Sequence, residues 1–203
     1  MSHQETICGL ILAAGLSTRM EGFKPLMPLR GKTLIENAID SVLCGGAEQV
    51  VVVTGHHAET LEALLTRSYA GRVIPVRNPN YAVTDMLRSI QIGCGAMPQC
   101  DAFFLLPGDM PVVRQSTFRK LRQARTPGSI VFPTLEGYRK HPPLVDATLI
   151  PEILTFQKEG GLRQLWKQHE TVIHTVPVDD EGVWVDLDTQ EDYKHCIARY
   201  EIR

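Results

Sequence analysis

A run of apolar residues that ends in very small ones, with two cations soon after it, is the part of this sequence best suited to chemistry. Ala13, Ala14 and Gly15 follow the run, and their small side chains let backbone amides approach a ligand and cradle phosphate oxygens. Arg19 can donate to two oxygens at once, and Lys24 can act as a mobile point charge. The segment therefore predicts a site for a phosphate-rich ligand. The alternative is a small-residue turn followed by surface cations.

Carboxylates supply the second chemical feature. Asp109 follows the apolar residues of FFLLPGDMP (103–111), and Asp186 and Asp188 lie on one face of the extended stretch VWVDLDT (183–189). Because Mg²⁺ prefers oxygen ligands and keeps several waters, Asp109 and one of the later pair could hold this ion against phosphates. Each aspartate could instead be a turn, capping or solvated residue.

Two well-known mononucleotide motifs are excluded. GxGxxG is absent from the first strand and the loop after it, and Gly31, Lys32 and Thr33 have Leu26 where a P-loop requires glycine. The Gly-Lys-Thr tripeptide is therefore interpreted as a turn and a helix cap.

The elements that must position these residues follow from the hydrophobic pattern. Short β-branched runs alternate with longer amphipathic segments, which predicts strand–helix–strand units on a mainly parallel sheet. The predicted strands cover residues 7–12, 49–53, 72–76, 102–106, 129–132, 171–176 and 183–187. The predicted helices cover residues 33–43, 58–66, 84–97, 116–124 and 189–200, the last with Thr189 as its N-cap. The stretch after Pro133, broken by glycine and proline, is interpreted as a substrate-facing loop or hairpin.

Composition limits the class of protein. The chain has 203 residues, 43% of them hydrophobic, so one ordinary domain is the default, and a net charge of −2 without a basic stripe argues against nucleic-acid binding. Its apolar runs are too short to span a bilayer, and its first residues lack a signal-peptide pattern, so a cytoplasmic protein is expected. Five scattered cysteines without a CxxC pair predict reduced core thiols. His56 and His57 are interpreted as loop residues rather than metal ligands.

Together, LAAGLSTRMEGFK, the strand-borne GDMP and the late DLDTQEDY resemble the molybdenum cofactor (molybdopterin) cytidylyltransferases and MobA-like NTP transferases, within the wider sugar-nucleotide transferase superfamily. The resemblance spans nearly the whole chain. It implies a single nucleotidyltransferase domain over residues 1–203 and an α/β fold, a Rossmann-like three-layer αβα sandwich with a mainly parallel sheet. It also implies Mg²⁺-dependent in-line transfer of a nucleotidyl group from an NTP to the phosphate of molybdopterin, releasing pyrophosphate. A molybdoenzyme or its chaperone is a further implied partner, whereas nucleic acid and membrane are not.

Carried over by position, the resemblance implies a role for each residue that matches a family motif. Catalytic roles fall to Arg19, Lys24 and Asp109. Nucleotide binding falls to Leu12, Ala13, Ala14, Gly15, Arg88 and Ser89, the last two in a base-recognition segment that begins at residues 78–81 and includes Met86. The metal ligands are Asp109 and Asp188, with Asp186 in reserve, and acceptor binding falls to His141, Pro142, Gly161 and Arg163.

Three local features bear on the substrates. Ala14 stands where guanylyl-transferring members have glycine, and its methyl group narrows the room for a purine, so CTP is favoured over GTP. Asp85 and Lys140 replace glycines that are usual in the family, which leaves open whether the base and acceptor pockets follow its norm. The glycine-rich segment 159–163 either receives an acceptor phosphate at a helix N-terminus or caps an ordinary helix.

Two other functions remain open. The same chemistry could act on a sugar phosphate, a polyol phosphate or another small phosphorylated metabolite. Alternatively, the chain could be a nucleotide-binding regulatory module without turnover, for which Asp85 and Lys140 are the only support.

Overall fold

A sheet of mainly parallel strands forms the centre of the protein. The structure, a computed structural model, describes residues 5–16, 20 and 22–200. The strands, in chain order, are β1 (Ile7–Ala13), β2 (Pro28–Leu29), β3 (Lys32–Thr33), β4 (Gln49–Thr54), β5 (Val73–Arg77), β6 (Ala102–Pro107), β7 (Ile130–Leu135), β8 (Tyr138–Arg139), β9 (Leu144–Asp146) and β10 (Ile173–Pro177). The helices are α1 (Leu34–Cys44), α2 (Ala58–Ser68), α3 (Met86–Gly95), α4 (Gln115–Ala124), α5 (Ile150–Thr155), α6 (Gly161–Gln168) and α7 (Gln190–Tyr200).

The order of strands creates a crevice at one edge of the sheet. Across the described residues, the order is β10-β7-β9-β6-β1-β4-β5, with β8 paired to β7. The chain runs from β1 outward to β4 and β5, then crosses over through α3 and returns on the other side of β1 as β6. In open α/β sheets a ligand binds at such a switch point, outside the carboxyl ends of the strands. The loops after β1 and β6 are therefore brought together.

Alternating side chains of the central strands bury both faces of the sheet. Ile7 and Ile11 of β1 pack with α1, α2 and α4 on one face. Cys8 and Leu10 of the same strand pack with α3, α5 and α6 on the other. This period of two along a strand that is covered on both faces is typical of parallel sheets. The predicted Rossmann-like three-layer αβα sandwich is thus confirmed, with β9 as an antiparallel strand between β6 and β7.

Most predicted elements are present, with ends shifted by a few residues. Thr33 caps α1 in a capping box: its hydroxyl oxygen accepts from the amide of Glu36, and its own amide donates to the Glu36 carboxylate. The interpretation of residues 31–33 as a turn and a cap is therefore confirmed. The expected hairpin is β7–β8, whose turn at Glu136 and Gly137 has positive φ at both residues.

The prediction of a strand at residues 183–187 is wrong. Glu181–Trp184 forms a 3₁₀ turn instead, because Asp180 caps it by accepting a hydrogen bond from the amide of Gly182. The alternation of apolar residues there reflects burial of Val183 and Leu187 rather than sheet pairing.

The cysteine prediction holds only in part. All five cysteines are free thiols, and Cys8, Cys94 and Cys196 are buried as expected of core residues. Cys44 is exposed because it is the last residue of α1 and lies at the surface. His56 and His57 lie in the connection between β4 and α2, as predicted. Among the described helices, none has both the length and the apolar character that crossing a membrane requires.

Gly93 allows α3 to approach the sheet closely. A Cβ atom at this position would lie 2.3 Å from Leu10 Cδ1 and 2.9 Å from Val53 Cγ2, both in fully buried side chains. We expect Gly93→Ala to lower the free energy of unfolding by about 1–3 kcal/mol, since overpacking a dense core costs that much. Chemical denaturation measures the change.

Gly95 of the same helix provides the matched control. A Cβ atom there would meet only Leu154 Cδ2, at 3.8 Å. Gly95→Ala should leave stability unchanged or raise it by up to about 1 kcal/mol, because alanine is the better helix former. Equal losses from the two substitutions would contradict this account of α3 packing.

Candidate functional site

A cleft of about 420 Å³ opens at the carboxyl ends of β1 and β6. Its walls include four groups of residues: the end of β1 and the loop after it (Leu12, Ala13, Ala14, Gly15 and Leu16), Lys24 and Pro25, the segment around the start of α3 (Tyr81, Thr84, Asp85, Met86 and Ser89), and the acidic side (Pro107, Gly108, Asp109 and Asp188). All the predicted phosphate-loop positions that the structure describes therefore face one space.

Small residues let the loops at the base of the cleft pack against one another. A Cβ atom at Gly108 would lie 2.9 Å from the carbonyl oxygen of Leu12, and one at Gly55 would lie 2.6 Å from that of Ala14. Gly15, in contrast, is exposed, and no atom of the described residues other than those of its chain neighbours lies within 4 Å of an added Cβ. The backbone at Gly15 is therefore accessible to a ligand, while Ala14 is held by its neighbours.

Lys24 lies on the acidic side of the cleft, at the start of a 3₁₀ turn that spans Lys24–Leu26. It is only 9% exposed, and its Nζ donates to Asp109 Oδ2 at 2.9 Å and to Asp188 Oδ1 at 3.5 Å. A buried ammonium group needs such partners to offset the loss of hydration. The structure thus brings Asp109 and Asp188 to the same side of the cleft, with a lysine between them.

Asp186 completes a cluster of three carboxylates. One oxygen atom from each of Asp109, Asp186 and Asp188 lies within 4.8 Å of the other two, close enough for one cation to bind all three. Leu187, which is fully buried, separates the two later aspartates, so both point to the opposite side of the chain. The amide of Leu187 donates to the backbone oxygen of Asp109 at 3.3 Å and joins the two loops.

The chemistry of this cluster suits a divalent metal ion. Asp109 Oδ1 is buried and accepts no hydrogen bond from the described part of the chain. A buried carboxylate oxygen without a donor is costly unless a cation or another partner satisfies it. Loss of hydration, followed by the charges of Asp109 and Asp188, raises the pKa of Asp186 to about 6. The carboxylates therefore hold more negative charge than Lys24 alone offsets.

The start of α3 forms the opposite wall. Ser89 is buried, and its hydroxyl oxygen accepts from Asn78 Nδ2 at 3.1 Å, which fixes the segment before the helix. Asp85 is the N-cap of α3: one of its oxygens accepts from the amide of Arg88 at 3.0 Å. The Arg88 side chain is exposed and does not line the cleft. Of the two predicted base-contacting residues, only Ser89 faces this space.

The predicted acceptor residues lie at two places around the cleft. His141 Nδ1 is 3.5 Å from the carbonyl oxygen of Leu105 in β6, and burial lowers the pKa of His141 although the charge of Asp109 opposes this shift. Pro142 is buried beside it. A Cβ atom at Gly161, at the start of α6, would lie 4.0 Å from Asp85 Oδ2, at the edge of the cleft. Arg163 on the same helix is exposed.

Sequence reasoning missed an aromatic surface near the carboxylates. Trp184, two residues before Asp186, is 46% exposed, and Lys140 Nζ lies 3.1 Å from the centre of its indole ring. The ring of Tyr138, 66% exposed, lies 6.2 Å from that of Trp184. A tryptophan two residues before the predicted metal ligands is the signal that could have indicated this surface. The predicted phosphate-binding Arg19 lies outside the described residues.

The sequence is similar to known proteins over most of its length. Residues 9–172 match the MobA-like NTP transferase domain. The chain is 29% identical to the molybdenum cofactor cytidylyltransferase of Escherichia coli K12 over 195 residues, which cover 94% of this chain and 95% of the relative. It is also 29% identical to the nicotine blue oxidoreductase of Paenarthrobacter nicotinovorans over 194 residues, which cover 91% and 93%.

Solved structures show the same fold. A nucleotidyl transferase from Methanothermobacter thermautotrophicus superimposes with a TM-score of 0.82 at 24% identity, covering 96% of this chain and 97% of that one. Rv0371c from Mycobacterium tuberculosis, solved as a complex with manganese, superimposes with a TM-score of 0.74 at 23% identity and covers 95% and 98%.

The three carboxylates repel one another when no metal ion is bound, and this repulsion has a measurable consequence. We expect Asp186→Asn to raise the melting temperature in EDTA at pH 7, because it removes one of three like charges. The gain should shrink as the pH falls below about 6, the pKa of the Asp186 carboxyl in the folded protein, and vanish only below about pH 4, where this carboxyl, with an ordinary pKa of 3.8, is protonated in the unfolded chain as well. Thermal denaturation at a series of pH values measures both effects.

The same variant should lose most of the stabilisation that Mg²⁺ or Mn²⁺ gives the wild-type protein, because one ligand is missing. Glu191→Gln serves as control, since Glu191 is an exposed carboxylate on α7 outside the cluster. If the metal ion raises the melting temperature of Asp186→Asn as much as that of the wild type, Asp186 is not a ligand of the site.

Proposed function

The chain belongs to the MobA-like NTP transferase family, and on that premise we propose that it transfers CMP from CTP to the phosphate of molybdopterin and releases pyrophosphate. One observation carries the proposal: a buried lysine and three carboxylates meet at one side of a cleft, beside an accessible small-residue backbone. This set of groups suits the binding of a metal-bound triphosphate. The proposal takes residues 1–203 as one domain, since one sheet carries both sides of the cleft.

Asp109, Asp186 and Asp188 would hold Mg²⁺, which their oxygen donors fit. The orphaned Asp109 Oδ1 supports this assignment, as does the manganese complex of a protein with the same fold. When bound, the ion would neutralise charge on the phosphates. The ammonium group of Lys24 donates to Asp109 and Asp188 in the structure. Because it lies beside these carboxylates, it could donate instead to a phosphate group of the nucleotide bound against them.

The proposed reaction needs no covalent enzyme intermediate. An oxygen of the acceptor phosphate attacks the α-phosphorus of CTP, and a new phosphorus–oxygen bond forms. The bond from the α-phosphorus to the bridging oxygen of the β-phosphate breaks, and pyrophosphate leaves with the electron pair. The residues of the cleft act by positioning and by charge: the backbone at Gly15 and the ammonium of Lys24 hold the triphosphate in line with the acceptor.

The choice of CTP rests on Ala14. This residue is 7% exposed and lines the cleft, and the close approach of Gly55 to its carbonyl oxygen leaves it little freedom to move aside. Its methyl group therefore reduces the space for a base. A pyrimidine fits a narrower pocket than a purine does.

Molybdopterin as the acceptor is supported by the relative from E. coli, whose name states that substrate class. The exposed ring of Trp184, two residues before Asp186 along the chain, and the ammonium of Lys140 over that ring offer a surface for a flat anionic acceptor. A sugar phosphate or another small phosphorylated metabolite remains the alternative acceptor. The alternative of an inactive binding module loses one of its two supports, because Asp85 has a structural role as the N-cap of α3.

Product analysis tests the proposed reaction. With CTP, Mg²⁺ and molybdopterin, we expect mass spectrometry to show the cytidylylated acceptor and an equal amount of pyrophosphate. CTP should be used in clear preference to GTP, ATP or UTP in parallel reactions. Preference for GTP would contradict the role given to Ala14, turnover only with a sugar phosphate would change the acceptor, and binding without any product would leave a regulatory module.

Lys24→Ala tests the role of the buried lysine. We expect turnover to fall by about 100-fold or more, because a preorganised charge on the developing anion is lost. Lys32→Ala is a matched control: Lys32 also pairs with a carboxylate, Asp40 at 2.6 Å, but it is exposed and lies outside the cleft. Pyrophosphate release at saturating CTP measures both variants. Near wild-type activity in Lys24→Ala would refute the assignment.

A further inference from the structure

Asp180 is a carboxylate that is wholly buried and lies outside the cleft. It is 0% exposed and belongs to the segment between β10 and α7. Its Oδ2 accepts from the amide of Arg114 and from Thr117 Oγ1, both at 2.7 Å, and its Oδ1 accepts from the amide of Gly182 at 2.8 Å. Arg114 Nε lies 3.6 Å from Oδ1. A buried carboxylate is tolerated only when its oxygens are satisfied in this way.

The partners of Asp180 belong to two segments that carry the metal-binding carboxylates. Arg114 and Thr117 lie at the beginning of α4, shortly after Asp109 along the chain. Gly182 lies shortly before Asp186 in the other segment. One side chain therefore ties the backbone that follows the first aspartate to the backbone that precedes the other two.

Two further contacts continue the junction toward the carboxylates. A Cβ atom at Gly182 would lie 2.2 Å from the carbonyl oxygen of Val112, so the two backbones are in direct contact there. The amide of Leu187 donates to the carbonyl oxygen of Asp109. From Asp180 to Leu187 the two segments thus lie side by side, and Asp180 anchors the end that is farther from the cleft.

We infer that Asp180 is a positioning residue of the cation site: by joining these two segments, it sets the distance between Asp109 and the pair Asp186 and Asp188. Three like charges within 4.8 Å push their loops apart, and the buried hydrogen bonds of Asp180 resist that separation. This inference rests on the proposed function only in that the carboxylates bind a divalent cation; it needs neither CTP nor molybdopterin to be the substrate.

Asp180→Asn provides the first test. The amide of asparagine places a donor where the carboxylate accepts from backbone N–H groups, so at least one of the hydrogen bonds is lost. We expect the dissociation constant for Mn²⁺, measured by electron paramagnetic resonance on the full chain without nucleotide, to rise by about 10- to 100-fold, the usual effect of removing a partner that orients metal ligands.

Gly182→Ala perturbs the same junction and leaves the Asp180 carboxylate in the chain, although the added Cβ atom would lie 2.8 Å from Asp180 Oδ1. Its methyl group meets the backbone oxygen of Val112 and forces the segments apart. It should weaken Mn²⁺ binding in the same way, which keeps the inference testable if Asp180→Asn fails to fold. With whichever nucleotide the wild type turns over, the Mg²⁺ concentration for half-maximal activity should rise in both variants, while the KM for that nucleotide at saturating Mg²⁺ stays unchanged.

Asp146→Asn is the matched control. Asp146 is also buried, at 2% exposed, and it accepts hydrogen bonds from the amides of Gly128 and Thr148 and pairs with Arg125. It lies opposite Ala102, at the amino end of β6, away from the cleft. This variant should lower the melting temperature and leave Mn²⁺ affinity as in the wild type.

The outcomes separate the inference from the proposed function. Wild-type Mn²⁺ affinity in folded Asp180→Asn or Gly182→Ala overturns the inference, as does an equal loss of affinity in Asp146→Asn, which would mean that any loss of stability weakens the site. Absence of Mn²⁺ binding by the wild type overturns the inference together with the cation site. A wild type that binds Mn²⁺ but forms no nucleotidyl product overturns the proposed reaction alone.

Discussion

The acidic side of the cleft can form only if the mutual repulsion of its three carboxylates is offset. Asp109, Asp186 and Asp188 come from two segments far apart in the chain, and each would be better hydrated if the segments separated. Within the described residues, two features offset this repulsion without a metal ion. The ammonium of Lys24 lies between two of the carboxylates, and the raised pKa of Asp186 lowers the charge of the third in mildly acidic solution.

The fold provides the rigid frame for this cluster. β1 and β6 are adjacent parallel strands buried on both faces, so the loops that leave them have little freedom at their origin. Gly108 lets the loop after β6 lie against the carbonyl oxygen of Leu12. The accessible backbone at Gly15 and the carboxylate of Asp109 are therefore placed by the same pair of strands. A nucleotide that contacts both would span the switch point of the sheet.

Local sequence patterns predicted what depends on local physics. The buried strand near residues 7–12, the helix cap within residues 31–33 and the loop or hairpin after Pro133 each follow from periodicity or turn chemistry. The family resemblance, rather than spacing, suggested that Asp109 meets Asp188, because contacts between distant segments leave no local pattern.

The errors have the same origin. Residues 183–187 alternate like a strand, but Asp180 caps a 3₁₀ turn there and is itself held by Arg114 and Thr117, which are distant in the chain. The function of Asp85 as a helix cap could not be weighed before the start of α3 at Met86 was known. The contact between Gly182 and the carbonyl oxygen of Val112 also bears on how the protein can be altered. Because the two segments fit each other backbone against backbone, a loop exchange with a relative that replaced residues 180–188 alone would bring ligands shaped for a different counterpart. The smallest unit that could be transplanted with the proposed cation site intact is the pair of segments, residues 109–117 together with 180–188.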